Sequence, residues 1–128
     1  MLVKIDHIQT SADARGAVFE PLDEAELSRQ RNVHVVLTRP GAVRGNHYHR
    51  SGTEVIVVHG CCLARFRKGE ELCDTTVGEN ETVRFYIPHG VSHAFKNTGS
   101  GISVMVACNT VAHDPVNPDV TRDVLIEP

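Results

Sequence analysis

The apolar positions of this chain fall in short segments rich in Val, Ile, Phe and Thr, and turn-forming residues interrupt them at close intervals. Such segments predict β-strands, because branched and aromatic side chains pack well on a pleated, half-buried surface. They cover residues 2–8, 17–19, 33–38, 47–49, 53–59, 62–67, 82–87, 93–97 and 102–109. Arg39-Pro40-Gly41, Lys68-Gly69-Glu70, Val77-Gly78-Glu79-Asn80 and Thr98-Gly99-Ser100-Gly101 stand between them as turns. This spacing predicts an all-β chain built as an antiparallel sandwich or barrel. Residues 23–30, with their Glu, Ala, Leu and Arg content, read as a short helix or turn. The stretch 113–128 carries Pro115, Pro118 and Pro128 and is expected to lie as an arm over the barrel or across a second subunit.

With 128 residues the chain fits one domain, 1–128. No apolar run approaches the roughly 20 residues that span a bilayer, and no basic segment followed by an apolar one stands at its start, so a cytoplasmic location and no membrane partner are expected. A formal charge of -3 and scattered Lys and Arg leave no basic stripe for nucleic acid. A sugar nucleotide is still within reach, since a few arginines suffice for a diphosphate. Cys61, Cys62, Cys73 and Cys108 form no C-x-x-C pair and are expected to be reduced, buried residues rather than a disulfide framework. Flat apolar strands and an arm need cover, which predicts a homodimer.

The chemistry concentrates in Gly41-Ala42-Val43-Arg44-Gly45-Asn46-His47-Tyr48-His49-Arg50-Ser51-Gly52-Thr53-Glu54. On a strand, His47 and His49 share a face while Tyr48 looks away, so both imidazoles converge on one point. Glu54 has the opposite parity, but Gly52 permits a turn or bulge that returns its carboxylate to the same pocket. A later segment, Pro88-His89-Gly90-Val91-Ser92-His93-Ala94-Phe95-Lys96-Asn97, sets a tight turn ahead of a further histidine.

Together these segments, G-x5-H-x-H-x4-E and P-x-G-x2-H-x3-N, resemble the paired signatures of the cupin superfamily. The resemblance implies a double-stranded β-helix, the jelly-roll barrel. It also implies one divalent metal ion (Zn, Fe, Mn or Ni) on His47, His49, Glu54 and His93. The glutamate-to-glycine spacing, Glu54 to Gly60, is one residue shorter than usual, and Thr82 stands where the second motif usually opens with glycine. Gly78 is expected to serve as the displaced turn.

Asp13-Ala14-Arg15-Gly16-Ala17-Val18-Phe19-Glu20 and Arg44-Gly45-Asn46-His47 are similar to the openings of dTDP-4-keto-6-deoxysugar 3,5-epimerases and 3,4-ketoisomerases. Arg-Gly-Asn-His-Tyr-His, with Asn109 to Asp114 and Asn117-Pro118-Asp119, also resembles the cupin domain at the C-terminus of capsular-polysaccharide hexulose reductases. These resemblances imply Arg15, Arg44 and Glu20 near a nucleotide-sugar substrate, with Arg84 a further candidate.

Isomerisation beside a ketone needs a base for an acidic C–H proton and a group that stabilises the enolate oxygen. A metal would polarise the carbonyl. His47 and its co-ligands would then have committed their lone pairs, leaving His34, His89 or Tyr86 as bases. Without metal, His47 is itself the candidate base. The expected function is therefore epimerase or isomerase of an NDP-4-keto-6-deoxyhexose. An iron or manganese dioxygenase and a non-catalytic binding protein are the alternatives, because the same donor types serve several chemistries. His7, His34, His59 and His113 read as plain surface or strand residues rather than ligands.

Overall fold

A computed structural model describes residues 2–128. In chain order the elements are β1 (Lys4–His7), β2 (Ser11–Asp13), β3 (Gly16–Val18), α1 (Glu24–Arg29), β4 (Asn32–Thr38), β5 (Val43–His49) and β6 (Glu54–His59). They continue with β7 (Cys62–Lys68), β8 (Glu71–Val77), β9 (Thr82–Ile87), β10 (Ser92–Asn97), β11 (Ser103–Asn109) and β12 (Val120–Arg122). One five-stranded sheet runs β1-β9-β6-β11-β4 and a second β12-β5-β10-β7-β8, with β2 and β3 as a separate hairpin. Neighbours pair antiparallel throughout, and the two sheets enclose one apolar layer, the jelly roll expected of the sequence.

Alternation explains the core. On β7, Cys62, Ala64 and Phe66 are buried while Leu63, Arg65 and Arg67 are only half-buried; on β9, Val83, Phe85 and Ile87 point inward. Phe66, Phe85 and Phe95 meet in the middle with ring centroids 5.3 to 6.0 Å apart, within the range of favourable aromatic pairing. Residues 19–31 cover the outward face of the first sheet. Phe19 stacks on His59, the Arg84 guanidinium donates to the Pro21 carbonyl, and Arg31 N–H donates to Asn109 O. Within this segment Asp23 caps α1 by accepting from Glu26 N–H at 2.8 Å.

The sequence reading did not include β2, β8 or β12. β8 is an edge strand on which Cys73, Thr75 and Val77 are the more buried positions while Glu71, Leu72, Asp74 and Thr76 are exposed; it is tied to β7 by the ion pair between Arg65 and Asp74 at 2.8 Å. β12 is short and polar and becomes a strand only by pairing with β5. Gly78 does make the expected turn, donating to the Glu81 carboxylate and accepting from Glu81 N–H. The cysteines are free, with Cys62 and Cys108 buried and Cys61 and Cys73 partly so. Burial pushes the Cys62 thiol up to about 12, which leaves it unreactive.

Candidate metal centre

The two histidines of β5 approach the core through a kink. Gly45 has φ +89° and Asn46 φ +58°, and the pairing of β5 with β10 shifts register there, so that His47 faces His93 while Gly45 faces Ala94. This is a bulge at the site's edge, a device that re-aims a side chain. Glycine is required at position 45 by space as well as by φ, since a Cβ would lie 2.7 Å from the His93 carbonyl oxygen. Gly52 has a similar reason: a Cβ there would lie 2.2 Å from Asn109 Oδ1. The chain bends at Arg50 and Ser51 and brings Glu54, the first residue of β6, into the cluster with the histidines.

His47, His49, Glu54 and His93 converge, and one ligand atom from each lies within 4.8 Å of the others. The ring centroids are 5.3 Å apart for His47 and His49, 4.9 Å for His47 and His93, and 5.6 Å for His49 and His93. His93 Nδ1 lies 3.1 Å from the Val91 carbonyl. A carbonyl only accepts, so this contact puts the proton on Nδ1 and turns the Nε2 lone pair inward. Glu54 Oε2 lies 2.7 Å from His49 Nε2, and Oε1 lies 3.4 Å from His93 Nε2. Neither Nε2 has a partner in hydrogen-bond geometry, although both are buried. Asn109 Nδ2 donates to Glu54 Oε2 at 3.3 Å.

The electrostatics separate the rings. Burial, then the neighbouring His93 and His49, pushes His47 down to about 4, so it is a neutral imidazole with a free lone pair. Burial would also lower His49, but Glu54 and Asp119 outweigh it and hold that ring above its ordinary value. Burial would raise Glu54, yet the His49 and His93 rings against it keep its carboxyl well below the usual range.

These residues fit a divalent ion. Ligands on opposite sides of an ion at ~2.1 Å stand ~4.2 Å apart, so the cluster needs only small rotations to close. Two buried ring nitrogens without directional partners are what an absent ligand partner leaves behind. Three imidazoles and a carboxylate suit Zn, Fe, Mn or Ni.

The cluster opens on a cavity of about 630 Å³. Its inner wall is apolar, with Val36, Ile56, Phe95 and Met105; His34, Arg44, Asn32, His113, Asp114 and Asp119 supply polar groups around it. Arg44, expected near the substrate, and His34, weighed as a base and as a plain strand residue, are among the lining residues. The other candidates do not line this cavity. Tyr86 projects from the opposite face of β9 to Phe85 and packs beside Arg84 and Lys4, 5.3 and 4.9 Å from their charged groups. His89 is exposed in the turn after β9, and Glu20 is exposed before α1. Arg15 sits in the turn of the β2–β3 hairpin, 90% exposed and paired with Asp13. Arg84 is engaged with Asp6 and Pro21. The sequence reading gave no role to Asn109 or Asp119 at the site. Their signal was only the similarity of 109–119 to a reductase ending, which does not say which atoms they meet.

The family described as the polysaccharide biosynthesis C-terminal domain matches residues 11–121, and the chain belongs to it. It is 31% identical over 114 residues to a UDP-2-acetamido-2,6-beta-L-arabino-hexul-4-ose reductase of Pseudomonas aeruginosa, an alignment covering 84% of this chain and 29% of that protein. It is similar in structure to the capsular polysaccharide assembling protein CapF from Staphylococcus aureus, with TM-score 0.66 and 26% identity over 92% of this chain and 32% of that one. A dTDP sugar isomerase from Desulfovibrio desulfuricans G20 has the same fold, with TM-score 0.76 and 20% identity over 94% of this chain and 82% of that one. The chain thus spans 29% of the reductase's length and 32% of CapF's.

Proposed function

We propose that this member of the polysaccharide biosynthesis C-terminal domain family holds a divalent metal ion on His47, His49, Glu54 and His93 and isomerises or epimerises a nucleotide-linked keto sugar. The observation that carries the reading is the buried cluster with its inward, unpartnered ring nitrogens at one wall of a sugar-sized cavity. Bound there, the ion would supply Lewis-acid polarisation of the ketone. Arg44, at the mouth, supplies positive charge for a diphosphate. The apolar inner wall excludes water around the reacting carbon and strengthens each electrostatic contact.

Proton removal falls to an imidazole that faces the cavity. His34 is the candidate when His47 is a ligand, because it lines the cavity from β4 and lies outside the cluster. When no ion is held, His47 is the candidate: it is neutral near pH 7 and has its lone pair free. Tyr86, His89, Arg15 and Glu20 have no place in this reading unless another surface is brought to them. The similarity to a dTDP sugar isomerase and to a hexulose reductase supports the substrate class.

Metal-analysed protein incubated with NDP-4-keto-6-deoxysugars in deuterated water tests the reading by NMR. Deuterium should enter at the carbon beside the ketone. No exchange at full metal occupancy would sink it. The donor set also suits an iron site for dioxygen, a second reading that substrate-dependent oxygen uptake would favour. A homodimer is part of the proposal, supported by Val33, Val35 and Leu37, which stand exposed in a stripe on edge strand β4. Sedimentation of the purified chain checks it.

A further inference from the structure

Without β12, the histidine strand β5 would be the edge of its sheet. The 119–126 segment covers it, and its attachments fall beside every member of the cluster. Asn46, which precedes His47, is 6% exposed; its Oδ1 accepts from Leu125 N–H at 2.8 Å and Ile126 N–H at 3.1 Å, and its Nδ2 donates to Ile126 O at 2.9 Å. Its own carbonyl accepts from Asp123 N–H at 2.7 Å. Asp123 in turn accepts from the hydroxyl of Ser92, which precedes His93. Asp119 accepts from Ser51 N–H at 3.0 Å and Gly52 N–H at 2.8 Å, in the turn between His49 and Glu54, and its Oδ2 stands 4.0 Å from His49 Nδ1. Between these points Val120 pairs with His49 and Arg122 with His47.

Asn46 is also the non-glycine residue with positive φ among those described. Glycine would adopt φ +58° with less strain, but it would lack the amide that makes three bonds to the segment. The amide is therefore what the position uses.

We infer that Asn46 and Asp119 are positioning residues: by clamping 119–126 along β5, they set the aim of His47, His49 and Glu54 for metal binding. The inference rests on the metal reading above. Groups that orient ligands from behind commonly govern affinity even though they never touch the ion.

The test titrates Co²⁺ into the full chain against a competing chelator, for wild type, Asn46→Gly, Asn46→Asp and Asp119→Ala. Imidazole ¹⁵N spectra of the metal-free proteins are recorded alongside. Asn46→Gly should weaken Co²⁺ binding about 10- to 100-fold, with an unchanged far-UV spectrum and shifted His47 and His49 ring signals. Asn46→Asp keeps the acceptor for Leu125 and Ile126 and should recover most of the loss. Wild-type affinity and ring signals in Asn46→Gly, with faster amide exchange at 123–126, would overturn the inference, since the clamp would be open and the cluster unmoved. If Asn46→Gly does not fold, Asp119→Ala carries the same comparison. If wild type binds no Co²⁺, the metal reading fails, and the ring signals alone decide the inference: shifted in the variants upholds it, unshifted overturns it.

Discussion

The packed and open parts of the barrel are built on the same strands. On β6, Glu54 belongs to the ligand cluster, while Ile56 and Val58, on the same face, belong to the apolar core. On β10, His93 is a cluster member and Phe95, two residues on, joins the core rings, 6.1 Å from the His93 ring. Parity therefore decides which side chains turn inward, and depth along the strand decides what they meet. In the packed part, Phe66 and Phe85 are fully buried and find ring partners. In the open part, the inward groups are polar and find one another, around a cavity that leaves their chemistry available.

The largest effect is expected from the packed part. Phe85→Ala should cost about 3–5 kcal/mol in urea unfolding, through lost burial and the cavity left behind. A midpoint near wild type would mean that the two parts are equally loose. Next comes metal. At a free concentration about 100 times Kd, the ion should raise stability by about 2.7 kcal/mol. Thermal melts with and without chelator should show this increment in wild type and lose it in Glu54→Gln and His93→Ala. Persistence in both variants would place the ion elsewhere. Gly45→Ala joins the two parts. With φ +89° and a Cβ 2.7 Å from the His93 carbonyl, it should cost about 1–3 kcal/mol. A neutral outcome would show that β5 and β10 can separate without penalty. The smallest effect is Val35→Thr, on the outward face of β4 and 61% exposed, expected within about 0.5 kcal/mol of wild type in the monomer. A larger loss that depends on protein concentration would reveal that this face is covered by a second copy.

Much of the site could be read before the structure because its geometry is local. His47 and His49 share a face at a spacing of two, which follows from strand parity alone, whereas Gly52 ahead of Glu54 is set by the room that Asn109 takes. Tyr86 shows where local reading stopped short. The alternation of Val83, Phe85 and Ile87 already turned Tyr86 outward, and weighing its chemistry without that parity brought it into the candidate set. Arg15 was chosen by motif and His89 as an imidazole left free of the ligand set, and neither ground places a hairpin or a turn in space.

The sequence by itself determined an all-β chain, the strands that carry alternating or continuous apolar residues, and the donor types available at the spacings of the two motifs. Only the tertiary structure decided that β12 exists, that Asn46 and Asp119 hold it, and that Asn109 backs Glu54. The reason is one of range. Strand parity and turn chemistry act between neighbours, whereas these contacts join residues 55 to 80 positions apart. Their polar side chains carry no periodic signal and gain partners only when two sheets have already closed around a core.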